Sequence, residues 1–301
     1  MPTLSRLHRP LMAFTAAMVA LAVVAAVGVI ADPRILTGMP IWAKPFKFAV
    51  SFAVYAGTLA WMLSLLPRRH RAAEWAATVV VAMGVAEMVV IVTQVVRGTT
   101  SHYNASTPLN ATLWQVMGTA IMVLFIGHFV IGVAVLRARI ADRVAAHAVR
   151  WGLGLTLLGL LVAIPMTLPF AAPPGQDDIV GAHSVGVADG SPGLPLLGWS
   201  TTGGDLRIGH FVGLHALQAL PLLALLLGRR LDVLTRVRLL AVGGAAYGTL
   251  IVLLTWQALR GQPLLRPDLL TLAAATALVA ATALAANRVI RARRPELELA
   301  A

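Results

Sequence analysis

Trp42-Ala-Lys-Pro-Phe-Lys-Phe48 carries both lysines of the chain; every other basic residue is arginine. Lys44 and Lys47 stand three residues apart, so they share one face of a helix whose first turn contains Pro45. A helix start attracts anions through its unpaired N–H groups and its dipole. Two compact ammonium groups on that face strengthen the attraction. A second chemical cluster is His210-Phe-Val-Gly-Leu-His215. Its i, i+5 spacing turns the two rings about 140° apart at 100° per residue. His102 and Asp205, added to His210 and His215, make a donor set that zinc, iron or copper would accept. Alternatively, His210 or His215 could hold haem with a histidine from another helix, with the basic residues taking the propionates. The third feature is Glu87, a lone acid inside an apolar run. Such a residue is a functional candidate by default. A carboxyl group there carries a proton at neutral pH unless Arg97 or a histidine pairs with it.

These residues must be positioned by membrane helices. The chain is 58% hydrophobic and 12% charged, against about 25% charge in an ordinary soluble protein. Mean hydropathy is +0.82. Runs of about 20 apolar residues cross a hydrocarbon core ~30 Å thick. Eight such runs are expected: 11–31, 46–66, 75–96, 111–135, 149–170, 208–228, 239–259 and 268–287. The predicted fold is therefore an all-α integral membrane protein with eight transmembrane helices. The first run follows Arg6 and Arg9 but lacks an A-x-A cleavage signal, so it reads as an uncleaved helix. With the N-terminus inside, the cytoplasmic segments carry 17 Lys and Arg residues and the outer ones 7. The positive-inside rule then puts both termini in the cytoplasm. The net charge of +12 belongs to this membrane asymmetry. It forms no basic stripe with interleaved aromatics, so no nucleic-acid partner is expected. The partners are the lipid bilayer and a small anionic or redox ligand. The absence of cysteine excludes disulfides and thiol chemistry. Composition suggests a bacterial cytoplasmic membrane.

The third run ends Gln94-Val-Val-Arg97-Gly98 and the seventh Gln257-Ala-Leu-Arg260-Gly261, an offset of 163 residues. The same offset places Lys44 on Arg207, Lys47 on His210, Phe48 on Phe211 and Tyr55 on Gln218. This reads as two parallel four-helix repeats, 1–145 and 146–287, with a basic tail over 288–301. A long external loop, 171–207, bears Asp177, Asp178, Asp189 and Asp205. It is expected to be mobile over 172–195 and packed at the mouth over 198–207.

Counting inward from the outer helix ends gives layers. Lys44, Arg207, Arg97 and Arg260 form the first. About 4.5 Å deeper come Lys47, His210, Gln94 and Gln257, and roughly 12–17 Å down come His215, Gln218, Tyr55 and Glu87. Each helix carries its polar residues on one stripe, so the stripes are expected to face a common, externally open pocket. Function is expected where the halves differ: Glu87 aligns with Leu250, and His215 with Phe52. The catalytic candidates are Glu87 and His215. The ligand-binding candidates are Lys44, Lys47, Gln94, Arg97, Arg207, His210, Gln218, Gln257 and Arg260. His128 lies too far inward to join them, and His8, His70, His147 and His183 are given no role. No Walker or dinucleotide fingerprint is present, and Ser101 and Ser200 lack a triad.

The plan of eight helices in two parallel halves, with the N-terminus inside, resembles haem A synthase. The resemblance covers topology alone. Helices two and eight contain no histidine, and the first external loop carries Trp42 and Lys44 in place of that family's Glu-x-x-His-Arg motif, so no residue is carried over. Three classes of function follow. The leading one is a membrane oxidoreductase or other small-ligand protein holding haem, quinone or a divalent metal. The second is a proton-coupled anion transporter using Glu87. The third is a non-catalytic assembly or sensing subunit.

Overall fold

The computed structural model describes residues 7–168, 178–228 and 230–298; Arg6, Asp177 and Arg229 lie outside the described residues. The chain is helical almost throughout. In order come α1 (Arg9–Ala31), a hairpin of β1 (Ile35–Leu36) and β2 (Met39–Pro40), α2 (Ala43–Ser64), α3 (Arg71–Val96), α4 (Pro108–Arg137) and α5 (Arg143–Leu161). A 3-10 turn follows at Ile164–Thr167, then β3 (Ser184–Val185), β4 (Gly204–Asp205), α6 (Arg207–Leu214), α7 (Ala216–Leu226), α8 (Val233–Leu259) and α9 (Leu269–Glu298). Among the described residues, seven helices are long and apolar enough to cross a membrane, and the α6–α7 pair makes an eighth if it is one bent span.

The helix boundaries have local causes. Oxygens of Thr107, Asp142 and Asp232 accept from the first free N–H groups of α4, α5 and α8, satisfying donors that a helix start leaves unpaired. His8 and His70 do the same for α1 and α3. At the opposite ends, Arg150 donates to the carbonyls of Leu136 and Ala138, and Arg236 to that of Ala224. These arginines thus serve as C-caps of the preceding helices.

In the first half α1 packs on α2 and α3 on α4; in the second α5 packs on α6 and α7, and α8 on α9. The largest apolar cluster joins α1–α4 to Val149 and Leu153 of α5 and to Leu217. A second cluster fills the space between α5, α6, α7 and α8. Helix α9 is the outlier, with Leu269, Leu270, Val279 and Leu284 largely exposed.

The expected continuous helix over 208–228 is broken. At His215 the chain turns by 50° between α6 and α7. Gly159 of α5 and Gly213 of α6 meet backbone to backbone there: a Cβ on Gly159 would lie 2.5 Å from the Gly213 carbonyl carbon. A break inside a membrane exposes carbonyls that must find other donors. Thr156 Oγ1 donates to the carbonyl of Leu214 at 3.3 Å, and the Tyr247 hydroxyl to that of Val212 at 2.7 Å. Replacing Gly159 with leucine should lower stability by about 1–3 kcal/mol through overpacking, read as a lower melting temperature of the detergent-solubilised protein, whereas Gly154→Leu, where a Cβ meets nothing within 4 Å, should change it little.

Candidate functional site

The outer end of α2 is held by Trp42. Its indole N–H donates to Asp32 at 2.9 Å, and its ring lies over Gly28 of α1, where a Cβ would come within 2.5 Å of it. Asp32 in turn holds Arg34, whose guanidinium reaches the Val95 carbonyl at the end of α3. The start of α2, and with it Lys44, is thereby fixed against α1 and α3. Below it the α2 stripe points inward as expected, but each member meets a different partner. Lys47 donates to the Leu197 carbonyl at 2.7 Å, Ser51 lies 3.5 Å from His215 Nε2, Tyr55 bonds His128 Nδ1 at 2.8 Å, and Thr58 accepts from Gln218 at 3.0 Å.

Glu87 of α3 is 1% exposed and sits nine residues, about 13.5 Å, inward from the end of its helix. Its Oε1 lies 3.8 Å from His102 Nε2. Its Oε2 has no hydrogen-bond partner among the described residues. Lys44 is within electrostatic reach of Glu87 and makes no hydrogen bond among the described residues. An acid, a neutral base and an ammonium group thus face one another in a place water hardly reaches. The apolar surroundings favour the protonated carboxyl and Lys44 favours the charged one. Such opposed influences suit a group that must change state.

His102 is brought there by the α3–α4 loop. Its ring sits among Phe48, Tyr103, Trp114 and His183, with centroids 5.6, 6.0, 5.7 and 6.2 Å away. Burial, followed by the positive charge of Lys44 and the neighbouring His183 and His210, holds its pKa well below the usual histidine value. His183 donates its Nδ1–H to Asp189 at 2.6 Å, and the same carboxylate accepts from the backbone N–H groups of His183 and Ser184. Burial lowers the pKa of His183 despite Asp189. Burial pushes the Asp189 carboxyl up, but the bonds from His183 and Ser184 outweigh it and leave it below the usual carboxylate range.

Described residues 178–195, expected to be mobile, are tied down. Asp178 and Tyr103 carbonyls accept from Ala105 and Val180, and β3 pairs with β4. Sequence gave no signal for this, because the bonds run between backbones of distant loops. It is also why His183, assigned no role from sequence, enters the site. His128, expected to lie too far inward to join the polar stripe, bonds its member Tyr55 at 2.8 Å. It is fully buried between Tyr55 and the Leu153 carbonyl. Since that carbonyl only accepts, Nε2 carries the proton and Nδ1 accepts from Tyr55.

Several ligand candidates prove to have other work. Gln94 donates to the Thr100 carbonyl and to Asn110 while its own oxygen accepts from Arg97, which also reaches Asn110. Gln257 donates to the carbonyls of Pro263 and Leu264, and Arg260 binds Asp268 and Thr271 and stacks on Trp256. Gly98 and Gly261 follow with φ of 72° and 71°, the left-handed step that ends a helix. The repeated Gln-x-x-Arg-Gly thus closes α3 and α8 onto their following loops and does not join Glu87.

The metal set is not assembled either. Asp205, 0% exposed, holds Arg207 and the Ser200 N–H. His210 gives its Nδ1–H to the Gly159 carbonyl at 2.8 Å, and His215 is bonded to Gln218 at 3.2 Å. Of the four, His210 lies within electrostatic reach of both His102 and His215, but among the described residues no three His, Asp or Glu are arranged to hold a metal ion. The expected cationic layers are covered only in part. Lys47 and Arg207 bind the carbonyls of Leu197 and Gly198, at 2.7 and 2.6 Å, so the 192–201 loop lies across these two, while Arg97 and Arg260 stay exposed. Charged side chains under a loop take the nearest acceptors, and here these are backbone oxygens of the loop itself.

No protein-family model matches the chain, nor does any curated protein or solved structure.

Two outcomes follow. Gln94→Leu should cost about 1–3 kcal/mol of stability, by removing the hydrogen bonds that a fully buried amide makes to the Thr100 carbonyl, Asn110 and Arg97, measured as a drop in melting temperature; a ligand contact would instead leave melting unchanged. His102 and His183 are kept neutral in the folded state while the unfolded chain protonates below about pH 6.5. Their contribution is therefore full above that pH and is lost as pH falls. Melting temperature should decline from about pH 7.5 to 5, and the decline should be shallower in His102→Gln.

Proposed function

We propose that this protein binds a small anionic or strongly polar solute beneath its outer surface and couples that binding to protonation of Glu87, as a proton-coupled transporter does. The observation that carries this reading is Glu87 itself, a buried carboxyl with one unpartnered oxygen that faces both His102 and Lys44. An anion arriving at Lys44 competes with Glu87 for the same positive charge. Losing that charge, Glu87 takes up a proton, so anion and proton load together. Linkage makes the effect reciprocal: a protonated Glu87 raises affinity for the anion. The loop across Lys47 and Arg207 supports the same reading, because an anion can replace the two carbonyls these cations hold. So does the break at His215, since discontinuous helices beside a mid-membrane site are a feature of transporters.

A redox role, with haem, quinone or metal at His210 and His215, has less support. Asp205 is committed to Arg207, and among the described residues no three His, Asp or Glu are arranged to hold a metal ion. We assign the whole to a bacterial cytoplasmic membrane with both termini inside, on the distribution of arginine. We also read it as a 4+4 tandem repeat. The matched closures of α3 and α8 and the similar pairing of helices in each half support that reading.

Because the chain has no cysteine, single substitutions report topology cleanly. Leu196→Cys, at an exposed site, should react with a membrane-impermeant maleimide in intact cells, and His70→Cys only after lysis; the reverse pattern would invert the orientation. Proteoliposomes carrying an internal pH dye, offered phosphate and sulfate in turn, should acidify with at least one of them in the wild type and with neither in Glu87→Gln. Equal acidification by the two proteins would refute the coupling.

A further inference from the structure

Proton coupling at Glu87 requires a route from the outer water to a side chain that is 1% exposed. Four groups step towards it. Side-chain exposure falls from 25% at Asp189 to 19% at His183, 15% at His102 and 1% at Glu87. Each neighbouring pair is close: 2.6 Å from Asp189 Oδ2 to His183 Nδ1, 6.2 Å between the stacked rings of His183 and His102, and 3.8 Å from His102 Nε2 to Glu87 Oε1.

We propose that Asp189, His183 and His102 form the proton path between the outer face and Glu87, with Asp189 and His183 as its outer mouth. The inference rests on the reading of Glu87 as the proton-exchanging acid and names the groups that serve it. Asp189 holds the Nδ1 proton of His183, which leaves Nε2 as a lone pair able to accept a proton from water. The imidazolium formed is stabilised by the carboxylate at Nδ1. The proton then passes to His102, and His183 returns to neutral. His102 has Ser101 Oγ 3.1 Å from Nδ1 and Glu87 beyond Nε2, so it can take a proton on one side and give one on the other. The two wider gaps are each spanned by a side-chain rotation or by one water molecule. The last transfer converts the Glu87 carboxylate to the acid and restores neutral His102.

The surrounding charges give the path its direction. Lys44 on α2 lies within electrostatic reach of Glu87, His102 and His183; Arg207 on α6 reaches His183 in the same way, and His210 reaches both His102 and His183. The Tyr103 ring lies edge-on to His183, and Asp205 anchors Arg207. A proton resting on either histidine therefore sits in a positive field that is relieved at two places, Asp189 outside and Glu87 inside. Burial and those cations keep both histidines neutral at rest, so their lone pairs are available and protons occupy them only in transit.

The test is infrared difference spectroscopy on purified protein in liposomes, with no solute present. A carboxyl band that responds to a drop in external pH and is missing from Glu87→Gln reports Glu87. In Asp189→Asn and His183→Ala the band should reach the wild-type end point but about 100-fold more slowly, the range of a lost acid–base group. Added imidazole should restore the rate in His183→Ala. Wild-type rates in either variant would overturn the path and leave the coupling at Glu87 standing. Slowing that imidazole does not restore would also overturn it, by assigning His183 a packing role. A wild type with no Glu87 band responding to pH would sink the proton-coupled reading and the path together.

Discussion

A carboxyl group held away from water must bind a proton or find a positive charge, and Glu87 is placed between the two solutions. His102 Nε2 lies 3.8 Å from it, and Lys44 is within electrostatic reach. Neither makes a hydrogen bond to it. In a low-dielectric setting the balance between these states responds strongly to any added charge. The surrounding architecture keeps that balance from collapsing: Trp42 and Arg34 fix the start of α2, the aromatic box fixes His102, and the outer loops keep bulk water away.

Several other polar groups close helix ends. Gln94, Arg97, Gln257 and Arg260 tie the C-terminal ends of α3 and α8 to the segments that follow. Arg150 and Arg236 cap the C-terminal ends of α4 and α7. Thr156 and Tyr247 cover the carbonyls freed where α6 meets α7. Each of these side chains is costly in lipid, and each offsets that cost by completing a hydrogen bond that lipid cannot supply. A polar residue in an apolar run thus has two explanations, closure and chemistry. They are distinguished by whether its hydrogen-bonding capacity is used up. Gln94 is saturated; Glu87 is not.

The helix break at His215 links the two kinds of residue. Gly159 and Gly213 bring α5 and α6 together so closely that the chain cannot continue straight. The bend brings His215 to Ser51 and Gln218 to Thr58, so the α2 stripe is bonded to the second half of the molecule along much of its length. Any relative motion of α2 and α6 would have to exchange these bonds, along with the Lys47 and Arg207 contacts of the outer loop.

Much of the fold was legible in the sequence because it depends on short-range rules. A run of apolar residues long enough to cross the bilayer must be helical, so the spans were readable one by one. Capping residues and the inward stripe on α2 follow from local spacing, and Glu87 stood out as an acid among apolar neighbours. What the sequence could not decide was which polar groups meet. Helical spacing gives a face and a depth but no partner. The layers counted along the chain therefore merged residues that the tertiary structure separates: Gln94 and Gln257 go to their own loops, Tyr55 to His128, and Asp205 to Arg207. His183 was invisible for the same reason, since it reaches Glu87's neighbourhood through loop-to-loop backbone bonds between residues far apart in sequence, Tyr103 and Val180 among others. Side-chain chemistry is written locally; the company it keeps is set by packing.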